Sequence, residues 1–444
     1  MSLRVSVSGV RGIVGVDLDA VVAARWASAF GAWLPPGPVV VGRDTRPSGP
    51  MVLAAVTAGL TSTGHEVRDI GVATTPTTEL ETAGTDAVGG VIITASHNPQ
   101  PWNALKFLRG DGLFLTAAQN AELRCRYDEG GGHVAAEHLG STTSVEGAGR
   151  RHLESVLALP WLDAAAIRRR RLTAVVDAVE GAGGEVLPDL LDALGVRCER
   201  LHCGLSGHFP HDPEPTPAHL EELCAEVRRT GADLGLAVDP DVDRLALVDG
   251  GGRALSEELT LVLACDVLLA RESGPVAVNL STTGLMEQVG ARHGVEVLRT
   301  PVGEANVVEV MLAANCVVGG EGNGGVIYPG LHAGRDALVG AALILQGLAE
   351  SGRTLAQLAD AWPPVVMVKE KVAAEGLPAP DVLAACLQGL GRGLMDARDG
   401  LKWVGPGAWI HVRASNTESV VRIIAEAATE PAARALIDRV RPIL

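Results

Sequence analysis

Three aspartates alternate along a short loop between two apolar segments. Asp239, Asp241 and Asp243 lie between the runs LGLAV and LALVD. Carboxylates this close repel one another unless a cation compensates their charge. A ligand set made only of oxygens suits Mg²⁺ or Ca²⁺. An EF-hand does not fit, because Arg244 and Gly250 stand where its sixth and twelfth positions require Gly and Glu. An acidic turn with solvated carboxylates is the alternative, and the other loops favour a Mg²⁺ site.

A serine follows the apolar run GGVII and precedes a His-Asn-Pro sequence. On a sharp turn, Ser96 could hold a phosphoryl group as a covalent intermediate, and that phosphate would offer the metal a fourth oxygen ligand. A Ser–His hydrolase dyad is a competing hypothesis. Neighbouring side chains of an extended chain point to opposite sides, so His97 is not expected to reach Ser96 as a base. The G-x-S-x-G elbow is also missing. A turn serine that bonds its own backbone is the remaining alternative.

Two further loops are rich in hydrogen-bonding groups. Residues 320–325 match G-x-G-x-x-G, but VIYPG follows where a dinucleotide site requires a helix. Glu321 and Asn323 better suit the hydroxyls of a sugar, and a glycine-rich turn with a chance acid is the alternative. The last loop offers guanidinium, hydroxyl and amide donors that match the oxygens of a phosphate. These donors are Arg413, Ser415, Asn416 and Thr417, with Arg422 after the turn. Taken alone, this loop would be interpreted as an Asx or ST turn.

Three stretches of the chain repeat one order of elements, which would position these loops. Each has a β-branched run, a polar or glycine-rich loop, a helical stretch and a second apolar run; the opening runs are PVVVG, TAVVD and PVAVN. This alternation predicts βαβ units and a mostly parallel sheet. Open α/β sheets bind ligands at the carboxyl ends of their strands. We therefore expect three similar mixed or parallel α/β domains around a central cleft, followed by a smaller C-terminal α+β domain. The predicted bounds are 1–145, 146–252, 253–362 and 363–444.

The amino-acid composition restricts the kinds of molecule that the protein is expected to bind. The 444 residues carry a formal net charge of −16 and are only 3% aromatic, which argues against nucleic acid and leaves room for a small phosphorylated ligand. The seven cysteines are odd in number and form no C-x-x-C, so they indicate neither a disulfide framework nor a zinc site. The chain lacks an apolar signal core and any apolar run of about 18 residues. We expect a cytoplasmic protein without a membrane partner, either a monomer or a homodimer.

Taken in order, the loops resemble those of the α-D-phosphohexomutase superfamily, which includes phosphomannomutase/phosphoglucomutase and phosphoglucosamine mutase. The matching segments are residues 8–12 (substrate-site loop), 94–99 (phosphoserine loop), 239–244 (metal loop), 320–324 (sugar loop) and 413–418 (phosphate loop), with smaller matches at 42–46 and 209–220. The resemblance covers the whole chain, and five matches in the same order leave little room for chance.

The resemblance implies an isomerase that interconverts hexose 6-phosphate and hexose 1-phosphate. Ser96 would be phosphorylated, and Mg²⁺ would bind that phosphate and the three aspartates. A hexose 1,6-bisphosphate would be both intermediate and activator. The implied catalytic residues are Ser96, His97, Arg11, Lys106 and Arg244; Glu321 and Asn323 would bind the sugar, and Arg413, Ser415, Asn416, Thr417 and Arg422 its phosphate.

Two departures from the family pattern affect the choice of acid/base and of substrate. Many members have His where Gly325 stands, and we hypothesise that His332 takes over its acid/base role. Many also have Ser where Asn323 stands, and the Asn form resembles the phosphoglucosamine mutases. We therefore expect a phosphoglucosamine mutase. The alternatives are a phosphomannomutase/phosphoglucomutase, a Mg²⁺-dependent sugar phosphatase that uses water as acceptor, and a sugar-phosphate-binding protein without catalysis.

Overall fold

The computed structural model describes residues 3–6, 9–373, 376–414 and 420–443. Within these residues the chain forms four β-sheets in sequence order, and helices accompany each sheet. Three of the sheets mix parallel and antiparallel pairs, and the fourth is entirely antiparallel. The predicted fold class, three α/β domains and a smaller C-terminal α+β domain, is confirmed.

The first sheet has seven strands. They are Arg4–Ser6 (β1), Gly9–Ile13 (β2), Val39–Arg43 (β3), Val67–Val72 (β4), Gly89–Ile93 (β5), Trp102–Arg109 (β6) and Thr142–Ser144 (β7), with helices Ala20–Trp33 (α1), Gly49–Thr61 (α2), Thr75–Ala83 (α3) and Ala117–Asp128 (α4). The strand order is β1-β2-β6-β5-β3-β4-β7. Strands β3, β4, β5 and β7 run parallel, as their connections through helices require, and the strands toward β1 run antiparallel.

The second and third sheets repeat a parallel core with an antiparallel edge. The second has helices Ala148–Leu157 (α5), Ala164–Arg170 (α6), Gly183–Ala193 (α7) and Glu221–Thr230 (α8), and strands Thr173–Asp177 (β8), Arg197–Leu201 (β9), Leu234–Val238 (β10) and Leu245–Asp249 (β11). The third has helices Glu258–Leu269 (α9), Leu285–His293 (α10), Glu304–Ala314 (α11), Ala337–Ser351 (α12) and Leu355–Ala359 (α13), and strands Val276–Asn279 (β12), Val297–Thr300 (β13), Val318–Glu321 (β14), Gly325–Tyr328 (β15) and His332–Arg335 (β16). Their strand orders are β11-β10-β8-β9 and β13-β12-β14-β15-β16.

The C-terminal sheet has five strands. They are Val366–Ala373 (β17), Leu394–Asp396 (β18), Leu401–Gly405 (β19), Ala408–Ala414 (β20) and Val420–Ala427 (β21), with helices Pro380–Gln388 (α14) and Glu430–Val440 (α15). The strand order is β17-β21-β20-β19-β18. Short 3₁₀ turns occur at Ala136–His138, Pro217–His219 and Arg441–Ile443. None of the helices in the described part of the chain combines the length and apolarity that a bilayer crossing requires.

The hydrophobic cores show which domains are joined. The first and fourth domains each have a separate core, whereas one continuous core runs through the second and third. Helix α12 lies at its centre: it is apolar on all sides, and its residues from Ala337 to Leu348 are buried. A helix of this composition is stable only when neighbours cover every face. The metal loop and the sugar loop, which belong to these two domains, therefore rest on one packed unit.

Candidate active site

The loop that carries Ser96 is shaped by a buried arginine. Ser96 follows β5, and the guanidinium of Arg46, 50 residues earlier, is fully buried beneath the loop. Arg46 donates hydrogen bonds to four backbone carbonyls of this loop, those of Ser96 (2.6 Å), Asn98 (2.6 Å), Pro99 (2.9 Å) and Trp102 (3.0 Å). Its Nε also donates to Asp44. The loop therefore has a defined conformation before any ligand binds.

Ser96 and His97 point to the same side, contrary to the sequence argument. Ser96 adopts φ 49°, in the left-handed region, so the chain is not extended there. As a result, Nδ1 of His97 lies 3.2 Å from Oγ of Ser96. Burial and the charges of Arg244 and Arg11 lower the pKa of His97 well below its usual value, so the imidazole is neutral. The prediction that His97 cannot reach Ser96 is wrong, because it assumed an extended backbone.

The three aspartates of the metal loop meet the serine directly. The loop joins β10 to β11, and Asp239, Asp241 and Asp243 are completely buried. Oγ of Ser96 donates a hydrogen bond to Oδ2 of Asp239 at 2.8 Å. Ligand atoms of the three aspartates lie within 4.8 Å of one another. Val242, between them, adopts φ 63°, which turns the chain sharply enough to aim alternate side chains inward.

Cationic side chains from two other domains contact this loop. Lys106 on β6 donates to Oδ2 of Asp241 at 2.7 Å, and Arg335 at the end of β16 donates to Oδ2 of Asp243 at 2.6 Å. The hydroxyl of Thr75 donates to Oδ2 of Asp241 at 2.6 Å. We call Ser96, Lys106, Asp239, Asp241, Asp243 and Arg335 the acidic centre. It is thus assembled from the first, second and third domains.

The pKa values in the acidic centre reflect a surplus of negative charge. Burial and the two neighbouring carboxylates raise the pKa of Asp239 well above its usual value. Burial alone would also raise the pKa of Asp241, but Lys106 and the Thr75 hydroxyl hold it below its usual range. Lys106 itself is buried, which opposes its charge, yet Asp241 and Asp243 raise its pKa. It is therefore a permanent cation in this structure.

The donor set of the acidic centre fits a divalent cation. Oδ1 of Asp241 and Oδ1 of Asp243 are buried and have no hydrogen-bond partner among the described residues. A buried carboxylate oxygen without a partner is costly unless an ion binds it. Together with Asp239, these atoms form an all-oxygen site of the kind Mg²⁺ prefers. The residues present are thus compatible with the predicted metal.

The charges of Arg11 and Arg244 both act on His97 of the serine loop. Arg11, on β2, donates to the side-chain oxygen of Asn98, and desolvation lowers its pKa to about 10. Arg244 contacts Glu214 at 3.2 Å and has its Nε 3.7 Å from Oδ1 of Asp243. Both guanidinium groups therefore lie next to the position where a phosphate on Ser96 would carry its charge.

The sugar loop ends one strand and begins the next. After Glu321 the chain turns back as β15 rather than entering a helix, in agreement with the argument against a dinucleotide site. Oε1 of Glu321 accepts hydrogen bonds from Asn279 and from the backbone of Gly303, and Oε2 accepts from Arg335 at 3.0 Å. Asn323 is partly exposed and its Oδ1 accepts only from the Gly325 backbone among the described residues.

Arg335 occupies the space beside Gly325. A Cβ atom at Gly325 would collide with Cδ of Arg335. A histidine at this position, as the family pattern has it, is therefore incompatible with the present arginine conformation. Arg335 contacts Asp243, Glu321 and Glu304, so it links the metal loop to the sugar loop. Its role was not predicted from the sequence.

His332 lies in a separate buried network. Its Nε2 is 3.2 Å from Oδ2 of Asp336, and its Nδ1 is 3.3 Å from Oε2 of Glu79. Oδ2 of Asp336 also contacts Nε2 of His152 at 2.8 Å. We call these four residues, Glu79, His152, His332 and Asp336, the histidine junction. It joins α3, α5 and β16, one element from each of the first three domains.

The pKa of His332 argues against proton transfer by this residue. Burial would lower the pKa, but the carboxylates of Asp336 and Glu79 raise it to about 10. Its ring is only 8% exposed, and among the described residues its ion pairs lead to these two carboxylates rather than to the acidic centre. The hypothesis that His332 replaces the missing histidine of the sugar loop is thus not favoured. A structural role fits the geometry better.

The phosphate loop lies partly outside the described residues. Ser415, Asn416 and Thr417 fall there, as does Ser8 of the first loop. Arg413 and Arg422 face each other on β20 and β21. Nε of Arg413 donates to Asp399 at 2.9 Å, while its buried Nη2 has no hydrogen-bond partner among the described residues. That unpaired donor is compatible with an anionic ligand.

Several residues that build the site were missed because their partners are distant in sequence. Arg46, Thr75 and Arg335 were given no role, although Arg46 and Arg335 lie in segments noted as similar or adjacent to family loops. Each was recognisable only as an isolated polar residue, and its partner is 50 or more positions away. An alternating pattern or a motif cannot report such a contact.

Four consecutive domains and a centre of serine, aspartates, lysine and arginine define the class of phosphohexomutases. The sequence matches all four domain families described as phosphoglucomutase/phosphomannomutase: α/β/α domain I over residues 3–131, domain II over 150–252, domain III over 256–365 and the C-terminal domain over 366–443. The chain belongs to the phosphoglucomutase/phosphomannomutase family. Enzymes of this family are mutases, a class of isomerase, and depend on magnesium.

Relatives match over nearly their whole length. The chain is 35% identical to a phosphoglucomutase/phosphomannomutase of Thermococcus kodakarensis, covering 97% of this chain and 96% of the relative. It is 34% identical to a phosphoglucosamine mutase of Frankia alni, covering 98% and 96%. A crystal structure of a phosphoglucomutase/phosphomannomutase family protein from Burkholderia thailandensis superposes with a TM-score of 0.85 at 26% identity, covering 99% and 96%.

Proposed function

We propose that this enzyme interconverts glucosamine 6-phosphate and glucosamine 1-phosphate through a phosphorylated Ser96 and a 1,6-bisphosphate intermediate. The observation that carries the proposal is the 2.8 Å hydrogen bond from Ser96 Oγ to Asp239, inside a buried cluster of three carboxylates. A hydroxyl held against a metal-compatible acidic loop suits phosphoryl transfer, where positioning and charge neutralisation dominate.

In the first half of the reaction, phosphorylated Ser96 gives its phosphoryl group to the free hydroxyl of the hexose monophosphate. The bond between Ser96 Oγ and phosphorus breaks, a bond from phosphorus to the sugar oxygen forms, and the proton of the sugar hydroxyl passes to Ser96 Oγ. The bisphosphate then turns around in the site. In the second half, a bond from Ser96 Oγ to the other phosphorus forms, the bond from that phosphorus to its sugar oxygen breaks, and the proton released by Ser96 passes to that sugar oxygen. The product is the isomeric monophosphate, and Ser96 is phosphorylated again.

Neutral His97 is the proposed proton acceptor for Ser96 in the second half. Its Nδ1 is 3.2 Å from Oγ, within reach of the proton that must leave. Arg11 and Arg244 would neutralise the phosphoryl group in transit, because both lie beside the serine loop. Lys106 would keep Asp241 ionised and correctly placed.

Asp239, Asp241 and Asp243, with the serine oxygen, would hold Mg²⁺, which when bound supplies Lewis-acid stabilisation of the phosphoryl oxygens. A hexose 1,6-bisphosphate would serve as activator, because it can phosphorylate Ser96 in an enzyme that has lost its phosphate. The phosphate of the substrate would bind Arg413, Ser415, Asn416, Thr417 and Arg422. The Nη2 of Arg413, which has no hydrogen-bond partner among the described residues, supports this assignment.

The choice of glucosamine rests on the sugar loop and on the relative from Frankia alni. Asn323 is partly exposed and leaves its amide donors for a ligand. Glu321 would exchange one of its present contacts, with Arg335 or Asn279, for sugar hydroxyls. The Thermococcus kodakarensis relative supports a second candidate, a mutase for glucose or mannose phosphates. Both candidates share the mechanism and differ only in the group at C2 of the sugar.

A coupled assay with Mg²⁺ and the matching 1,6-bisphosphate tests the proposal. Glucosamine, glucose and mannose phosphates should be compared, with Ser96→Ala as the inactive variant and Ser155→Ala, a half-buried helix serine outside the site, as the matched control. We expect interconversion that is fastest with glucosamine phosphate, is lost in Ser96→Ala and is retained in Ser155→Ala. Release of inorganic phosphate without isomerisation would instead identify a phosphatase. Activity that survives in Ser96→Ala would refute the mechanism.

A further inference from the structure

A second cluster of metal-ligating side chains lies in the second domain, away from the acidic centre. Asp177 ends β8, and His202 directly follows the neighbouring parallel strand β9. His211 returns to them from the long loop between β9 and α8. Each offers a ligand atom, and these atoms lie within 4.8 Å of one another. We call Asp177, His202 and His211 the Asp177 cluster.

The two hydrogen-bond partners of His211 require more than a neutral imidazole can offer. Its Nδ1 lies 2.8 Å from the backbone carbonyl of Asp212, and its Nε2 lies 2.9 Å from Oδ2 of Asp177. Both neighbours only accept hydrogen bonds, whereas a neutral imidazole has a single N–H. The second ring nitrogen must therefore carry another proton or bind a metal ion. Burial opposes the extra proton, while Asp177 raises the pKa of His211.

The surroundings of the cluster match those of histidines that bind metals. A ligating imidazole usually donates its other N–H to a carbonyl or carboxylate, which fixes the ring. The Asp212 carbonyl does this for His211, and Glu222 contacts Nε2 of His202 at 3.1 Å. Oδ1 of Asp177 accepts from the backbone of Val179, so its Oδ2 faces the imidazole. The two imidazoles are about one-fifth exposed, which leaves a path for an ion.

We propose that the Asp177 cluster binds one Zn²⁺ ion. Two histidines and one carboxylate with an open fourth position form a recognised zinc ligand set. Ligand atoms on a tetrahedral Zn²⁺ stand about 3.3 Å apart, given bonds of about 2.0–2.1 Å, so small side-chain rotations would admit the ion. Imidazole ligands discriminate against Mg²⁺, which keeps the cluster distinct from the acidic centre. The cysteine pattern gave no sign of this site because the cluster uses none.

The bound ion would fasten a loop that reaches the active site. Residues 202–220 contain no regular element except one 3₁₀ turn. Within this loop, Phe209 covers the guanidinium of Arg46 at 4.9 Å, and Glu214 binds Arg244 at 3.2 Å. His211 lies between these two contacts in sequence. Zn²⁺ would thus fix the middle of the loop to the sheet edge and hold both contacts in place.

Zinc retention by the full-length protein tests the site. The protein is loaded with Zn²⁺, desalted into buffer with saturating Mg²⁺ and analysed for metal content; Co²⁺ loading adds a visible spectrum that reports nitrogen ligands. We expect about one equivalent in the wild type, in Asp241→Asn and in His208→Ala, the matched control on the same loop. We expect His202→Ala and His211→Ala to bind at least ~10-fold more weakly. No retention by the wild type, retention in both cluster variants, or loss in Asp241→Asn would overturn the proposal.

Hydrogen exchange supplies a second readout that does not depend on activity. Addition of Zn²⁺ should slow amide exchange in residues 203–216 of the wild type several-fold. The same addition should change nothing in His211→Ala. Unfolding temperatures in chelator show whether the variants fold, and His211→Asn replaces His211→Ala if the alanine variant does not. Equal exchange with and without Zn²⁺ in the wild type would contradict the fastening of the loop.

Discussion

The acidic centre and the histidine junction are both buried, charged and assembled from the first three domains, yet they balance charge differently. In the junction, Oδ2 of Asp336 contacts two imidazoles, and its Oδ1 accepts from the backbone of Leu338 and Val339. In the acidic centre, one oxygen of Asp241 and one of Asp243 have no hydrogen-bond partner among the described residues. In the junction, each carboxylate faces an imidazole. A network with paired charges holds domains together, whereas one left short of positive charge is prepared for a ligand.

The acidic centre and the histidine junction meet at two neighbouring residues, Arg335 and Asp336. Arg335 ends β16 and points to Asp243, while Asp336 caps α12 and points to His152 and His332. Of these two adjacent residues, Arg335 therefore serves phosphoryl transfer and Asp336 holds the domains together. Substitutions at these positions and at their partners test the distinction.

The largest effect is expected from Asp239→Asn. Loss of one carboxylate removes a proposed metal ligand and the acceptor of the Ser96 hydroxyl, so mutase activity should fall by roughly 1,000-fold. The raised pKa of Asp239 means that its ionised form opposes folding, so stability in chelator should be equal or higher. Steady-state kinetics and thermal unfolding in chelator measure the two effects. If Asp239→Asn lost stability but kept activity, the acidic centre would serve stability rather than catalysis.

Asp336→Asn should show the opposite pattern. It leaves two buried imidazoles without their shared carboxylate, and breaking a buried ion pair costs about 3 kcal/mol or more of unfolding free energy. Activity of the folded fraction should stay within about tenfold of the wild type, because among the described residues the Asp336 side chain bonds to His152, His332 and the α12 backbone rather than to the three aspartates of the metal loop. Urea unfolding and kinetics on the same preparation give both numbers. Unchanged stability would show that the junction does not hold the domains.

Arg335→Lys sharpens the boundary between the regions. Lysine keeps the charge but cannot bridge Asp243, Glu321 and Glu304 at once, so kcat should fall by roughly 10- to 100-fold. The unfolding free energy should change less than in the neighbouring Asp336→Asn. Comparing kcat and stability of the two variants measures the separation. Equal losses in both properties for both variants would argue for one merged network.

The smallest effect concerns pH. The folded pKa of His332 is about 10, against about 6.5 in an unfolded chain, so its stabilisation is complete below pH 6.5 and is lost as pH rises toward 10. Between pH 8.5 and 10 the wild type should lose about 1–2 kcal/mol more stability than His332→Gln. Denaturant unfolding across this range measures the difference. His138→Gln, at an exposed position, should follow the wild type; a parallel profile for His332→Gln would rule out the charged imidazole.

The sequence sufficed for features that are local. The repeated strand–helix order predicted the three α/β domains, and the opening runs PVVVG, TAVVD and PVAVN correspond to β3, β8 and β12. The alternation of Asp239, Asp241 and Asp243 predicted that their side chains would gather, because only the turn between two adjacent strands was needed. Such inferences depend on a few consecutive residues and hold whatever the rest of the chain does.

Features that depend on unusual backbone angles or on domain contacts were not predictable. The contact between Ser96 and His97 follows from the left-handed backbone conformation of Ser96, which the types of the neighbouring residues do not predict. The pKa of His332 depends in part on Glu79, which approaches it only when the first and third domains pack together. Pairs of charges far apart in sequence give no periodic signal, so the identity of their partners has to come from the structure.

Arg46 and the four carbonyls it binds all belong to the first domain, so the shape of the serine loop is encoded in the first 110 residues. The aspartates that confer its electrostatic setting are encoded more than 100 residues later. The gene thus stores the nucleophile's geometry and the acidic part of its charge environment in separable modules, while Lys106 stays with the serine loop. Recombination between related mutases in the segment between β7 and α5 would exchange the aspartates without rewriting the loop.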